Sequence, residues 1–141
     1  MYEVKKANTV EEKLLIAPAM KEFWDINADH MWGVWDGDKC IGGTSVYNCH
    51  EFMPRNNFSM RLDIKPSYGH WVIGYRMIVE ALKVTNKLVA KIEVTNLPSR
   101  KGAKQLGFKR IYTEDGCEYL ELQKVPEKLH KRWQKYVQSN P

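Results

Sequence analysis

The chain is poor in the residues that build metal centres and disulfide frameworks. Its 141 residues include only three cysteines and four histidines. The cysteines are an odd, widely spaced set without a Cys-x-x-Cys pair, so they favour neither a zinc site nor a disulfide framework. The histidines lack ligand spacing, and we therefore expect reduced thiols and no metal. These residues are Cys40, Cys49, Cys117, His30, His50, His70 and His130.

Long apolar runs are also missing. No stretch approaches the roughly 20 apolar residues that span a bilayer, and residues 1–6 lack the apolar block of a secretory signal. A cytoplasmic protein without a membrane partner is the expectation. The length suits one domain with a sizeable core. We predict that domain over residues 1–124, with residues 125–141 forming a basic amphipathic helix packed on the same domain or on a partner.

Acidic residues are the minority, 17 against 22 basic ones, which gives a formal net charge of +5 at pH 7. The basic excess is concentrated. Residues 83–110 hold eight basic side chains and only Glu93 as an acid, and residues 124–135 hold five against Glu127. Such asymmetry favours an anionic partner: a phosphorylated cofactor, nucleic acid or an acidic protein. A solvated lysine-rich surface explains each cluster equally well.

The first half of the chain reads as a strand, a helix and a three-stranded meander. Thr9 and Glu12 form a capping box ahead of the helix, which carries an apolar stripe that we expect to be buried. Asp36-Gly37-Asp38 predicts a hairpin turn because glycine tolerates positive φ. The predicted strands are residues 2–7, 31–35, 40–47 and 58–64, and the stripe is Leu14, Leu15, Met20, Phe23 and Trp24.

Two features of this half predict local irregularity. Pro18 falls inside the helical pattern, so we expect one kinked helix or two short ones. Gly42 and Gly43 stand together inside a strand, which suggests a bulge or the close approach of another segment.

The second half alternates helices and strands. The apolar stripe of the first helix is Ile73, Met77, Ile78, Ala81 and Leu82 at helical spacing. Gly107 follows the second helix as an expected C-cap, and Asp115-Gly116 predicts a final hairpin. The predicted helices are residues 70–85, 99–106 and 127–138, and the predicted strands are residues 88–94, 109–113 and 117–123.

Strand, helix and strand in succession over residues 58–94 predict a parallel pair, because so long a crossover cannot return as a hairpin. The pattern indicates an α/β (α+β) fold: a mixed, mostly antiparallel sheet of six to seven strands, one central parallel pair, and helices on both faces. The bend at residues 66–69 leaves backbone N–H groups at the following helix start, where an anion can bind.

Two segments resemble motifs of the GNAT N-acetyltransferase superfamily. Residues 62–68 read Leu-Asp-Ile-Lys-Pro-Ser-Tyr and lead to Ile73-Gly74, similar to the strand and loop that hold the pyrophosphate of acetyl-CoA. Residues 94–96 read Val-Thr-Asn and precede Leu106-Gly107-Phe108, similar to the family's second signature. The resemblance covers roughly residues 2–124. It implies that acetyl-CoA lies between two central strands that diverge.

The resemblance also implies cofactor-binding residues. Ile64 offers backbone groups and Asn96 a side chain to the pantetheine arm, while the pyrophosphate loop includes Tyr68, Gly69, His70 and Gly74. The loop departs from the family pattern, because Gly69 replaces a basic residue and the bulky Trp71 and Val72 replace smaller ones. Three cations on the short helix predicted over residues 99–106 could replace the phosphate contacts that this loop lacks. They are Arg100, Lys101 and Lys104.

Catalysis in this family requires a base for the amine and an acid for the leaving thiolate. Asp63 and Glu93, on the two central strands, are the candidate bases; alternatively, each pairs across the sheet with Arg61 or Lys91. Ala103 stands where family members commonly place the acidic tyrosine. Tyr68 or Tyr112 is the candidate replacement.

The predicted function is acetyl transfer from acetyl-CoA to an amine of a small molecule or protein by direct attack. The alternative is a catalytically inactive GNAT-fold interaction protein, such as a bacteriophage virion or host-takeover component. The C-terminal helix then provides the contact surface for a second copy or a protein partner. Nucleic acid is not expected as a partner.

Overall fold

The structure, a computed structural model, describes residues 2–47, 57–62 and 70–140 of the chain. The chain divides into two compact units, Met1–Ser67 and Tyr68–Pro141. Each unit combines helices with an antiparallel sheet, so the fold is α+β. The described residues include four α-helices.

The described part of the first unit is a four-stranded antiparallel sheet with one α-helix, and its strands follow one another in the order β1-β2-β3-β4. Its core surrounds Met20 and Met31, which are fully buried. The elements are β1 (Glu3–Lys6), α1 (Val10–Met20), a 3-10 turn (Lys21–Phe23), β2 (His30–Asp36), β3 (Lys39–Tyr47) and β4 (Asn57–Leu62).

Helix α1 begins as predicted, because the Thr9 hydroxyl accepts a hydrogen bond from the Glu12 backbone N–H at 3.1 Å. Pro18 lies inside the helix, which continues to Met20 before the 3-10 turn. The predicted buried stripe is wrong at Leu14 and Leu15, which are 53% and 61% exposed. Met20 is buried as predicted, and Ile16 and Ala19 are buried with it.

Gly33 and Gly43 explain which side of α1 faces the sheet. They pair across β2 and β3, and a Cβ on Gly43 would lie 2.8 Å from Ile16 Cγ2. Ile16 therefore rests where the sheet has no side chains. At 3.6 residues per turn, Leu14 points roughly 200° away from Ile16. The predicted close approach at Gly43 is confirmed, and the strand also bulges, with Ile41 as the extra residue beside Gly42.

The second unit contains three helices and a three-stranded antiparallel sheet in the order β5-β7-β6. Helix α2 ends at Ala81, four residues before the predicted limit of Thr85. Its predicted stripe is confirmed at Ile73, Met77, Ile78 and Ala81, which are buried. The elements are α2 (His70–Ala81), β5 (Leu88–Glu93), α3 (Leu97–Gln105), β6 (Lys109–Glu114), β7 (Cys117–Leu122) and α4 (Glu127–Ser139).

Positive φ angles confirm two predicted chain reversals in the second unit. Gly107 follows α3 with φ of 99°, and a Cβ there would overlap the ring of Pro126. Asp115 and Gly116 join β6 to β7 with φ of 50° and 75°, as a two-residue hairpin of type I′ requires.

Helix α4 packs against α2 through aromatic side chains. The Tyr75 and Trp133 rings stack with centroids 4.8 Å apart, and the Tyr75 hydroxyl lies 2.7 Å from His130 Nδ1. The Arg132 guanidinium lies 4.1 Å from the centre of the Trp71 ring. Trp133 and Tyr136 of this helix therefore face α2.

Within the described part of the chain, no helix is long and apolar enough to cross a bilayer. The same residues contain no group of histidine, cysteine or carboxylate side chains that could hold a metal ion.

Candidate active site

The predicted site residues fall into two groups. Asp63, Ile64, Tyr68 and Gly69 lie outside the described residues, as does the side chain of His70, whose backbone begins α2. Tyr112 lies on β6 of the second unit, and the others lie on α2, on β5, between β5 and α3, or on α3. They are Gly74, Glu93, Asn96, Arg100, Lys101 and Lys104.

Asn96 occupies the junction between β5 and α3. Its side-chain oxygen accepts a hydrogen bond from the Ser99 backbone N–H at 3.3 Å, which makes it the N-cap of α3. Its own backbone N–H donates to the Glu93 carbonyl at 2.9 Å. Pro98 suits the first turn because that position needs no N–H donor. The side chain is exposed. Its hydrogen bonds to Ser99 and Glu93 hold the residue in place, and the amide NH₂ is on the exposed side chain.

Arg100 is held by the fold. Its Nε donates to Glu118 Oε1 at 2.6 Å, and a terminal nitrogen donates to the Val94 carbonyl at 2.8 Å. The hydrogen bond from Arg100 lowers the pKa of Glu118, with further lowering from the charges of Lys104 and Arg110. Glu118 is a buried carboxylate whose charge is compensated, and Arg100 links the end of β5 to β7. Its predicted contact with a phosphate stays a prediction.

Glu118 was missed from the sequence, although a signal was present. It occupies the same alternating set of β7 as Leu120 and Leu122, which are buried. A carboxylate at a buried strand position requires a cationic partner. The alternating pattern therefore predicts that Glu118 has a cationic partner, but it does not identify that partner as Arg100, 18 positions away.

Lys101 and Lys104 are exposed on α3 and form no ion pair with another described residue. They differ in this from Arg100. Of the three cations predicted to bind phosphate, these two have ammonium groups that no described carboxylate pairs with.

Gly74 allows α2 to pack closely on α3. A Cβ at this position would lie 3.2 Å from two carbon atoms of Leu106. Leu106 belongs to the Leu-Gly-Phe signature, so the two sequence motifs meet through this contact. The proposed role of Gly74 in phosphate binding stays a prediction.

Trp71 is oriented toward the C-terminal helix. Its ring and that of Tyr136 are nearly perpendicular, with centroids 5.8 Å apart, and Arg132 lies over one face of the Trp71 ring. Its indole nitrogen is buried, and no residue among those described accepts a hydrogen bond from it. The sequence offered no signal for these contacts.

Glu93 is exposed at the end of β5, where it lies opposite Cys117 of β7. It forms no ion pair with another described residue. Lys91, its alternative partner in the sequence prediction, lies instead 5.9 Å from the centre of the Tyr119 ring. An exposed carboxylate without an ion-pair partner is available to accept a proton from a bound amine.

Tyr112 is the described candidate for the acid. Its ring stacks on Tyr119 with centroids 4.4 Å apart. Desolvation, followed by the neighbouring Tyr119 and Glu114, raises the pKa of Tyr112, so the phenol stays protonated at neutral pH. The family's tyrosine position is taken by the buried Ala103, whose carbonyl accepts the Phe108 N–H at 3.0 Å.

Solved structures with the same fold are GNAT N-acetyltransferases. PseH from Campylobacter jejuni, in complex with acetyl coenzyme A, superimposes with a TM-score of 0.61 at 15% identity over 89% of this chain and 100% of that one. A spermidine N-acetyltransferase SpeG variant from Vibrio cholerae gives 0.63 at 11% identity over 93% and 97%. Ribosomal-protein-S5-alanine acetyltransferase from Vibrio fischeri gives 0.61 at 18% identity over 91% and 94%.

The chain therefore has the GNAT N-acetyltransferase fold. No family model matches the sequence. No curated protein matches it either.

Proposed function

We propose that this protein is an acetyl-CoA-dependent N-acetyltransferase that modifies an amine of a small molecule or protein. The observation that carries the proposal is the likeness, over most of both chains, to an acetyltransferase solved with acetyl-CoA. The junction at Asn96 supports it, because a defined cap fixes the polar side chain predicted to meet the pantetheine arm. The natural setting for this chemistry is the cytoplasm.

The proposal includes the finer architecture predicted from the sequence. In it, β4 and β5 form the central parallel pair of a mixed sheet of six to seven strands, and they diverge toward their carboxyl ends. Diverging strands leave N–H and C=O groups that need partners. An extended ligand with amide groups, such as pantetheine, would supply them, with backbone groups of Ile64 and the side chain of Asn96 as its predicted contacts.

The described residues fit a phosphorylated ligand in two respects. The first turn of α2, from His70, has backbone N–H groups that no helical carbonyl satisfies. Lys101 and Lys104 add two exposed positive charges on α3. Arg100 contributes less, since Glu118 and Val94 already bind its guanidinium.

Bound acetyl-CoA would supply an activated thioester, so that the C–N bond to the acceptor forms as the C–S bond to coenzyme A breaks. Glu93, or Asp63, would accept the proton that the attacking ammonium must lose. Tyr112, or Tyr68, would give a proton to the departing thiolate. The chain therefore needs to orient two substrates and move two protons, without forming an acyl-enzyme.

The test is the melting temperature with and without acetyl-CoA. A ligand that binds the native state stabilises it by mass action, by about 2.7 kcal/mol at 100 times its Kd. We expect a clear rise in Tm with acetyl-CoA and a smaller one with S-acetylpantetheine, which lacks the nucleotide and pyrophosphate.

Asn96→Asp is the matched variant, because it keeps the capping oxygen of α3 and removes the amide NH₂. We expect it to fold like the parent and to bind acetyl-CoA more weakly. Absence of any Tm rise at millimolar acetyl-CoA in the parent protein would contradict the proposal and favour the interaction protein.

A further inference from the structure

One face of the β5-β7-β6 sheet carries an exposed aromatic surface. Side chains of β7 alternate, with Glu118, Leu120 and Leu122 buried on one face and Cys117, Tyr119 and Glu121 partly exposed on the other. We call the second face the tyrosine face. It contains the residues that pair with these three positions on both neighbouring strands: the buried Val89 and the exposed Lys91, Glu93, Lys109, Tyr112 and Glu114.

The middle row of the tyrosine face is Lys91, Tyr119 and Tyr112, in that order across the strands. The two tyrosine rings stack at 4.4 Å with an interplanar angle of 14°. Lys91 lies 5.9 Å from the centre of the Tyr119 ring. Tyr112 is on the edge strand of this three-stranded sheet and is 44% exposed. The row leaves an aromatic surface of Tyr112 available for a further planar group.

The adjacent row supplies negative charge. Glu93 and Glu114 pair from opposite sides with Cys117, so both carboxylates belong to the tyrosine face. Glu114 is two residues beyond Tyr112 on one strand, which places their Cα atoms roughly 6.5–7 Å apart. Cys117 separates the two acidic positions, each about 5 Å away across the sheet.

The opposite row is mixed. Glu121 lies 3.7 Å from Lys87 in an ion pair, and Lys109 is its partner in the register. The Lys91 ammonium lies over the Tyr119 ring. Glu93 and Glu114, which form no ion pair with another described residue, therefore share the row next to Tyr112. A polyanion such as nucleic acid does not match this distribution, whereas an ammonium group does.

We propose that the tyrosine face binds the acceptor and that the acceptor is a primary amine linked by a short chain to a planar ring. The ring stacks on Tyr112 and the ammonium lies between Glu114 and Glu93. This inference rests on the proposed function for its chemistry, since Glu93 is the candidate base. It selects an arylalkylamine over a linear polyamine, because an aliphatic chain leaves Tyr112 without a stacking partner.

The first experiment measures binding without acetyl-CoA, by calorimetry or ligand-observed NMR. The probes are tyramine, which has both groups, butylamine, which has only the amine, and p-cresol, which has only the ring. We expect tyramine to bind roughly 3- to 10-fold more tightly than either fragment. Equal affinity for tyramine and butylamine would overturn the aromatic half of the proposal.

Tyr112→Leu removes the ring and keeps an apolar side chain. We expect a roughly 3- to 10-fold loss of tyramine affinity and little change for butylamine. Ile111→Ala is the matched control, because Ile111 is the neighbouring exposed residue, at 48%, and is the bulged position outside the register. Equal losses in the two variants would contradict stacking on Tyr112.

Cys117 provides a second readout inside the face. In a Cys40→Ala/Cys49→Ala background, we expect tyramine to slow modification of Cys117 by a thiol reagent, and butylamine to do so less. If tyramine does not protect Cys117 while acetyl-CoA still raises Tm, binding of the acceptor at the tyrosine face is rejected and the proposed function is not. Tyramine protection without any acetyl-CoA shift would reject the proposed cofactor and leave the binding surface standing.

Discussion

Glu118 and Glu93 stand on neighbouring strands of the second unit, and the fold treats them in opposite ways. Glu118 faces the covered side of its sheet, is 2% exposed and is bound by Arg100 at 2.6 Å. Glu93 belongs to the tyrosine face and is exposed. A buried carboxylate must be paired because desolvation otherwise penalises its charge. An exposed carboxylate needs no such partner and is free to bind a ligand. Variants on the covered side should therefore change stability, and variants on the open side should change binding or turnover.

Arg100→Met tests the covered side and should give the largest loss of stability. The variant keeps aliphatic bulk but leaves Glu118 buried without its cation. We expect a fall in Tm of many degrees at pH 7, measured by circular dichroism. Glu118→Gln in the same chain should recover part of it, because the uncompensated charge is then removed. A Tm close to that of the parent would contradict this account.

The same pair predicts a pH dependence. The pKa of Glu118 is lower in the folded than in the unfolded chain, so ionised Glu118 stabilises the fold above its unfolded pKa. That contribution is lost as pH falls through the folded pKa. The difference in unfolding free energy between the parent and Arg100→Met should therefore be largest near neutral pH and should narrow in acid. A difference that grows in acid would give the wrong sign.

Gly43→Ala tests the covered side of the first unit. The new Cβ would lie 2.8 Å from Ile16 Cγ2 and 2.9 Å from the Trp32 carbonyl, so we expect a loss of roughly 1–3 kcal/mol by denaturant unfolding. Gly102→Ala is the matched control, since nothing lies within 4 Å of its Cβ inside α3. It should stabilise by roughly 0.5–1 kcal/mol. Similar effects in both would show that contact with α1 does not decide the outcome.

Lys101→Glu with Lys104→Glu moves to an open surface, where stability should change little. We expect acetyl-CoA affinity to fall roughly 3- to 10-fold at low salt and the effect to shrink as salt is added. Lys124→Glu with Lys128→Glu makes the same change of net charge at positions outside α3. Unchanged affinity at low salt in the first pair would remove these lysines from the proposed phosphate contacts.

The covered and open sides also differ in how far the sequence predicts them. Local signals predicted the reversal at Gly107 and the hairpin at Asp115-Gly116, because each depends on residues a few positions apart. The sequence motif singled out Asn96 as a ligand contact but did not predict that it caps α3. The buried side of α1 depends on Gly33 and Gly43 of the sheet, which no helical periodicity reports. Two leucines in the helix therefore pointed to the wrong side.

The candidate site shows the same division. Asn96 and the cations of α3 were identified by motif and charge. The engagement of Arg100 by Glu118 and of Tyr75 by His130 joins residues 18 and 55 positions apart. Such contacts follow from tertiary packing, so a sequence pattern identifies the residue that needs a partner but not the partner itself. The open tyrosine row likewise required the register of β5, β7 and β6.

Glu93→Gln gives the sharpest contrast with Glu118, because it should change stability least and turnover most. An exposed substitution of this kind usually shifts unfolding free energy by no more than about 0.5 kcal/mol. If Glu93 accepts the amine proton, kcat/KM should fall roughly 10²-fold or more, and the rising limb of its pH profile should disappear. Glu127→Gln, an exposed change on α4, controls for lost charge. Retention of both rate and pH profile in Glu93→Gln would assign the base elsewhere, with Asp63 as the next residue to test.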